Sequence, residues 1–270
     1  PFSIAVIRFV LASLLILPFV AHSLSMRKED FPLLLLATIG AVTLHIPFFF
    51  FGLKLTTALN AGIIGAVMPI FTLLLAHRFL SEKIPHKLIY GAILGIVGIA
   101  VIIGKDIFMH GLALSPIGDF LVFLAILMFI FYEIASKKLF ARYHPLTINF
   151  YAFAFGSLSL APFAIQEFQA NPQWMNNIPP EAMWGILYGI FLSSFAAYSL
   201  WQWGLSKLSA SRVGFFFYLD PVVSTIAAVL ILSEQITLAF VAGAILIFLG
   251  IFIAEGRLPY HHLHTTKNRD

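Results

Sequence analysis

Apolar residues run along the chain in stretches of about 20, separated by short breaks of Lys, Arg, Asp, Pro and Gly. Coiled as a helix, a run of that length matches a hydrocarbon layer of roughly 30 Å. The pattern predicts nine spans, at residues 3–22, 32–52, 58–79, 88–104, 117–136, 147–165, 182–203, 212–232 and 237–254. No segment shows the short alternating runs of a membrane barrel, and lipid cannot satisfy open strand edges, so the spans are expected to be helices. The first run is longer than the apolar part of a signal peptide, lacks a basic leader and precedes eight more, so it reads as a structural helix. The longest break, residues 166–181, carries Asn171, Pro172, Asn176, Asn177, Pro179 and Pro180 and reads as a polar, turn-rich loop.

The runs are related to one another. Residues 52–104 slid by 152 positions align without a gap on residues 204–256. Matches include Gly52/Gly204, Gly62/Gly214, Pro69/Pro221, Leu80-Ser81-Glu82/Leu232-Ser233-Glu234, Gly91/Gly243 and Gly98/Gly250. Apolar composition generates chance Leu and Ile identities, but not Gly, Pro and Ser-Glu at one fixed offset, so the chain is read as a duplication. An offset of 144 aligns the first span with the sixth, through Phe9/Phe153, Ser13-Leu14/Ser157-Leu158 and Pro18-Phe19/Pro162-Phe163. The span 117–136 has no partner in the first half. About 30 preceding residues holding a first helix are therefore expected, for ten spans in all, and five helices per half imply that the halves are inverted.

Composition agrees: 60% of the residues are hydrophobic and 10% charged, against about 25% charged in soluble domains. The net charge of +4 does not read as a nucleic-acid surface, because the cations sit in loops. Arg27, Lys28, Arg78, Lys83, Lys87, Lys137, Lys138, Arg142, Lys207 and Arg212 fall on one side with the basic tail, and only Lys54 and Lys105 on the other. The positive-inside rule then places the C-terminus in the cytoplasm of a multi-pass protein, most simply in a plasma or bacterial inner membrane. The absence of cysteine removes thiol chemistry and Cys-based metal sites. His261, His262 and His264 lie in the polar tail 257–270, where nothing fixes a metal geometry, so no metal or cofactor is assigned.

Two segments carry a family pattern: Ala66-Val67-Met68-Pro69 leading to Ser81-Glu82, and Tyr218-Leu219-Asp220-Pro221 leading to Ser233-Glu234, each followed by a Gly-rich span. With Trp201-Gln202-Trp203-Gly204-Leu205 and Arg8-Phe9, they make the chain resemble the EamA family of the drug/metabolite transporter superfamily over nearly its whole length. The resemblance implies an all-α inverted-repeat transporter, with nine of ten helices present. Residues 1–104 would be the first repeat, 117–256 the second and 257–270 a cytoplasmic tail. It implies a central cavity and alternating-access transport, with export of amino acids or drug-like metabolites as the expected activity. The family usually has Glu where Asp220 stands.

Several residues within the spans carry chemistry. Asp220 sits about 12 Å into its span, where a carboxylate needs a partner, a proton or water; it reads as a ligand or proton-coupling group or as half of a structural ion pair. Pro69 and Pro221 break their helices and are candidate hinges or packing kinks. Arg8 is an interfacial anchor, or a group that neutralises a substrate carboxylate or Asp220. His45 shares a helical face with Phe49, and Tyr198, Trp201 and Gln202 share another. With Asn60 and Tyr218 these are the candidate cavity residues. Glu133 and Lys137, four apart, read as an interfacial salt bridge, and Gly91/Gly95 and Ala58/Gly62/Ala66 as close-packing surfaces. Scattered single ions and the lack of a G-x-x-x-x-G-K-[ST] motif favour a transporter over a membrane enzyme or an ATP-driven pump, and the inverted duplication favours it over a scaffold. The expected partners are a small-molecule substrate and the lipid bilayer, with a homodimer left open.

Overall fold

The computed structural model describes residues 1–110, 115–173, 178–232 and 237–255, and every regular element among them is helical. In order these are α1 (Phe2–Val20), α2 (Phe31–Thr38), a π segment (Ile39–Thr43), α3 (His45–Leu55), α4 (Ala58–Ala66), α5 (Met68–Leu80), α6 (His86–His110) and α7 (Pro116–Leu139). There follow α8 (Pro145–Ala170), α9 (Pro180–Tyr188), a second π segment (Gly189–Ala197), α10 (Tyr198–Lys207), α11 (Ala210–Phe215), a 3-10 turn (Phe216–Leu219), α12 (Asp220–Leu232) and α13 (Leu238–Glu255). By length and composition six stretches can cross a membrane: Phe2–Ser23, Lys28–Leu55, Asn60–Leu80, Pro116–Leu139, Pro145–Ala170 and Ala182–Lys207. His86–Ile102 and Leu238–Ala254 are shorter apolar helices. The expected single helix at 212–232 is instead broken by the 3-10 turn, because Pro221 cannot donate to the turn before it. Ser233-Glu234, the tail 257–270 and residues 174–177 of the long loop lie outside the described residues.

Local chemistry sets the ends and breaks. Pro116, Pro145 and Pro180 each start a helix, where the missing N–H costs nothing. Thr57 caps α4 by accepting from the Asn60 backbone N–H at 3.1 Å, and Ser81 ends α5 in the left-handed region with φ 54°. Lys137 and Lys138 in the last turn of α7 complement its negative end. Pro47 follows the first π segment by one turn and removes a donor from it, which is a common origin of such bulges.

The outer surface is apolar: Leu14, Phe19, Leu158, Trp184, Leu200, Leu230 and Phe252 are all exposed. In water that would be prohibitive; in lipid it is the favoured arrangement. Small residues bring the helices together. At Gly91 an added Cβ would lie 2.6 Å from the Gly250 carbonyl oxygen, and at Gly98 2.7 Å from that of Gly243, so α6 and α13 meet backbone to backbone. Gly95 serves another purpose, accommodating the Tyr218 ring. Helices α1 and α8 pack along their length, with Phe9 and Phe153 5.0 Å apart. The expected Ala58/Gly62/Ala66 surface is divided: Ala66 packs against buried core residues, whereas Gly62, like Gly65, has nothing within 4 Å of an added Cβ, because both face an opening between helices.

Candidate functional site

That opening is a cavity of about 600 Å³, a volume suited to a small organic molecule. Helices α3, α4, α7 and α12 form most of its wall. The π segment and Pro47 shift the helical register just before His45 and set its ring toward the cavity, above Phe49. The wall opposite comes from the break at Phe216–Leu219, which places Asp220 in the first turn of α12. Pro221 and Ser224 follow along the same surface.

The His45 Nδ1 donates to the Ala125 carbonyl at 2.9 Å, since a carbonyl can only accept. Nε2 is then the ring nitrogen left for a ligand. The imidazole lies against Phe49 and Phe129, at 6.0 and 5.4 Å between centroids. Asp220 is exposed to the cavity and makes no ion pair or side-chain hydrogen bond among the described residues. The positive end of α12 favours an anion at that position. Most of the remaining lining is aliphatic or aromatic, so the cavity offers an apolar bed with one carboxylate, one imidazole and the Ser224 hydroxyl.

Phe129 and Phe217, 5.8 Å apart, form the cavity's floor, with Trp201 packed 4.5 Å beyond Phe217. Below them the molecule is closed. Glu82, after α5, accepts from the backbone N–H groups of Ala210 and Ser211 at 2.8 and 3.0 Å and from the Ser211 hydroxyl at 2.6 Å. Lys137 on α7 donates to the carbonyls of Leu205 and Leu208. The turn from α10 to α11 is thus gripped on its donors by one side chain and on its acceptors by another. We call this the basic end; the Arg142–Asp30 ion pair, at 2.9 Å, also belongs to it.

Among the sequence candidates, His45, Phe49, Asp220 and Pro221 line one cavity. The others lie elsewhere. Arg8 does not pair with Asp220: the second π segment offers it the Gly189 carbonyl and the Ser193 and Ser194 hydroxyls, at 3.1–3.3 Å. Asn60 donates to Asp119, which also accepts from Thr56, at the end opposite the basic one. Tyr198 is packed among Phe9, Phe129 and Phe153. Tyr218 is buried with its hydroxyl on the Ala92 carbonyl, and Gln202 is buried against Ser136. Pro69 is buried in the first turn of α5, where it starts that helix. The expected Glu133–Lys137 bridge is absent, because Lys137 is taken by the turn carbonyls and Glu133 accepts from the Trp201 indole N–H at 2.9 Å. Phe129, Phe217 and Ser224 were not among the candidates; the break before α12 points to Phe217 and Ser224, while nothing in the apolar run of α7 marks Phe129.

The model of the EamA-like transporter family matches residues 1–104 and 116–255. An uncharacterized transporter of Archaeoglobus fulgidus is 30% identical over 95% of this chain and 88% of its own length. Another, YyaM of Bacillus subtilis, is 28% identical over 88% of this chain and 77% of its own. A "Probable terminal-alkyne amino-acid exporter" of Streptantibioticus cattleyicolor is 28% identical over 81% of this chain and 71% of its length. A crystal structure 20% identical in sequence superposes with a TM-score of 0.75, covering 94% of this chain and 88% of that one, and so shares the fold.

Proposed function

The chain belongs to the EamA-like transporter family, and on that premise we propose that it is a secondary transporter of small amphipathic metabolites, working by alternating access around the cavity of His45 and Asp220. The observation that carries this reading is the cavity itself: apolar, ligand-sized and floored by Phe129 and Phe217 above the closed turn between α10 and α11, with a carboxylate on its wall that has no partner among the described residues. We take the basic end to face the cytoplasm. Export of amino acids or related compounds is the preferred direction, and the amino-acid exporter among the relatives supports it.

Two halves of opposite orientation are one common way to build alternating access. In support, contacts recur under the sequence repeat. Phe9 packs on its own repeat mate Phe153. The Gly91–Gly250 approach maps, at an offset of 152, onto Gly243–Gly98. Pro18 and Pro162 occupy equivalent places inside α1 and α8, and the π segment of the first half matches part of the π segment in the second. On this reading nine spans are present, with α4–α5 and α11–α12 as the broken pair.

To test it, the protein is reconstituted in liposomes, and amino acids and amphipathic amines are screened for binding and then counterflow. Asp220→Asn is expected to cut counterflow of the transported compound roughly 10-fold or more, the worth of one charge-assisted hydrogen bond. Undiminished counterflow in that variant would remove Asp220 from the site.

A further inference from the structure

Glu133 is the one carboxylate among the described residues that is fully buried, at 0% exposure. The cavity-facing residues Val122, Ile126 and Phe129 descend one face of α7, and Glu133 is the next position on it, one turn beneath the aromatic floor. Its Oε1 accepts from Trp201 Nε1, while Oε2 has no partner among the described residues. Among the described residues no cation lies within ion-pair distance: Lys137, four residues on, is spent on the Leu205 and Leu208 carbonyls. Of the other groups around it, Tyr132 on the same helix and Glu82 from the turn after α5 are ionisable. Helix α10 contributes the uncharged Trp201 and Gln202. Helix α5 presents apolar side chains, Phe71, Leu75 and Leu80, to this stretch of α7.

An ionised carboxylate in such a place, with one oxygen bare and no counter-ion, costs several kcal/mol. The neutral acid does not carry that cost. Glu133 also lies one turn before Lys137 on α7 and near enough to Glu82 to feel its charge, beside the two side chains that grip the turn between α10 and α11, so parting that closure would bring water toward it.

We propose that Glu133 is a proton-binding group of the transport cycle, a neutral acid while the basic end is closed and a carboxylate once that end opens to water. On opening, the Oε2–H bond breaks and the proton passes to entering water; on closing, Oε2 takes a proton back before it is buried. This rests on the alternating-access reading for the opening step, whereas the protonation in the closed state stands on burial alone.

Two measurements on the full chain in lipid nanodiscs test it without a substrate. Infrared difference spectra at about pH 7, where an exposed Glu with a pKa of about 4.3 is ionised, should contain the C=O stretch of a protonated carboxyl. That band should vanish in Glu133→Gln and persist in Asp220→Asn; a band unchanged by Glu133→Gln overturns the proposal. In Trp201→Phe the band should move to higher frequency as the indole hydrogen bond is lost, and an unshifted band also counts against it. This second variant carries the test if Glu133→Gln does not fold. Second, the chain has no cysteine, so Ala210→Cys, fully buried in the closed turn, reports opening by maleimide labelling relative to the denatured protein. Labelling should rise several-fold from acid to alkaline pH with Glu133 present and stay low with Glu133→Gln; an equal rise in both overturns the proposal. Loss of the infrared band with no counterflow for any compound would instead spare the proton site and count against the transport reading.

Discussion

At the scale of single residues, the polar side chains of this protein divide by whether their partner is near in sequence. Glu82 reads from sequence as a turn residue, yet its carboxylate satisfies two N–H groups of a helix that starts 128 positions later. Nothing in its own neighbourhood signals that. Glu82→Ala should therefore lower stability by about 1–2 kcal/mol, the worth of an N-terminal cap, read as a fall in the detergent denaturation midpoint, with Glu82→Gln intermediate. Asp220 was legible because a charge inside an apolar run requires an explanation wherever it packs. Arg8 was equally conspicuous, but the identity of its partner depends on serines of the second π segment, which no local rule brings to α1. Glu133 was misread for a related reason. The i, i+4 spacing to Lys137 is a sound rule for exposed helix faces, and this face is buried beneath Trp201.

At the scale of helices, small residues were visible in the sequence, but their use was not. A Gly-rich face serves either to bring a neighbour's backbone close or to leave space for a ligand, and both require the same lack of a side chain. The structure separates the cases: Gly98 stands 2.7 Å short of the Gly243 carbonyl once a Cβ is added, and Gly62 meets nothing within 4 Å. Gly98→Ala is expected to cost about 1–3 kcal/mol through forced separation of α6 and α13, while Gly62→Ala should leave the denaturation midpoint nearly unchanged and act on ligand binding. Equal effects of the two substitutions on stability would refute the assignment of Gly62 to the cavity. The helix breaks were better specified, because proline acts through its own backbone: Pro69 and Pro221 start α5 and α12 as their chemistry dictates. What they could not reveal is that the break in the second half extends over the four residues Phe216–Leu219 and so delivers Asp220 to the cavity.

At the scale of the whole molecule, the proposed repeat makes a prediction that neither a single helix nor a single residue can. Thr72 on α5 touches Gly214 on α11, with 3.0 Å between the Thr72 Cβ and a Cβ built at Gly214. The image of that contact at an offset of 152 is Gly62 with Ser224, and those two residues line the open cavity instead of closing it. If the halves exchange conformations during transport, the two contacts exchange as well. In the alternate state Gly62 and Ser224 should meet, and Thr72 and Gly214 should part to open a path past Glu82 and Lys137. The cysteine-free chain allows this to be read with paired substitutions. Thr72→Cys with Gly214→Cys should form a disulfide in the state described here, its Cβ atoms, 3.0 Å apart, having to part by under about 1 Å to reach the bridging separation of about 3.8 Å. Gly62→Cys with Ser224→Cys should form one only in the alternate state, slowly at rest and faster with a transported compound, and each bridge should abolish counterflow until it is reduced. A Gly62–Ser224 pair that never bridges, while the other pair does, would mean that the asymmetry between the ends is permanent, and a molecule with one fixed opening could bind its ligand but not carry it across.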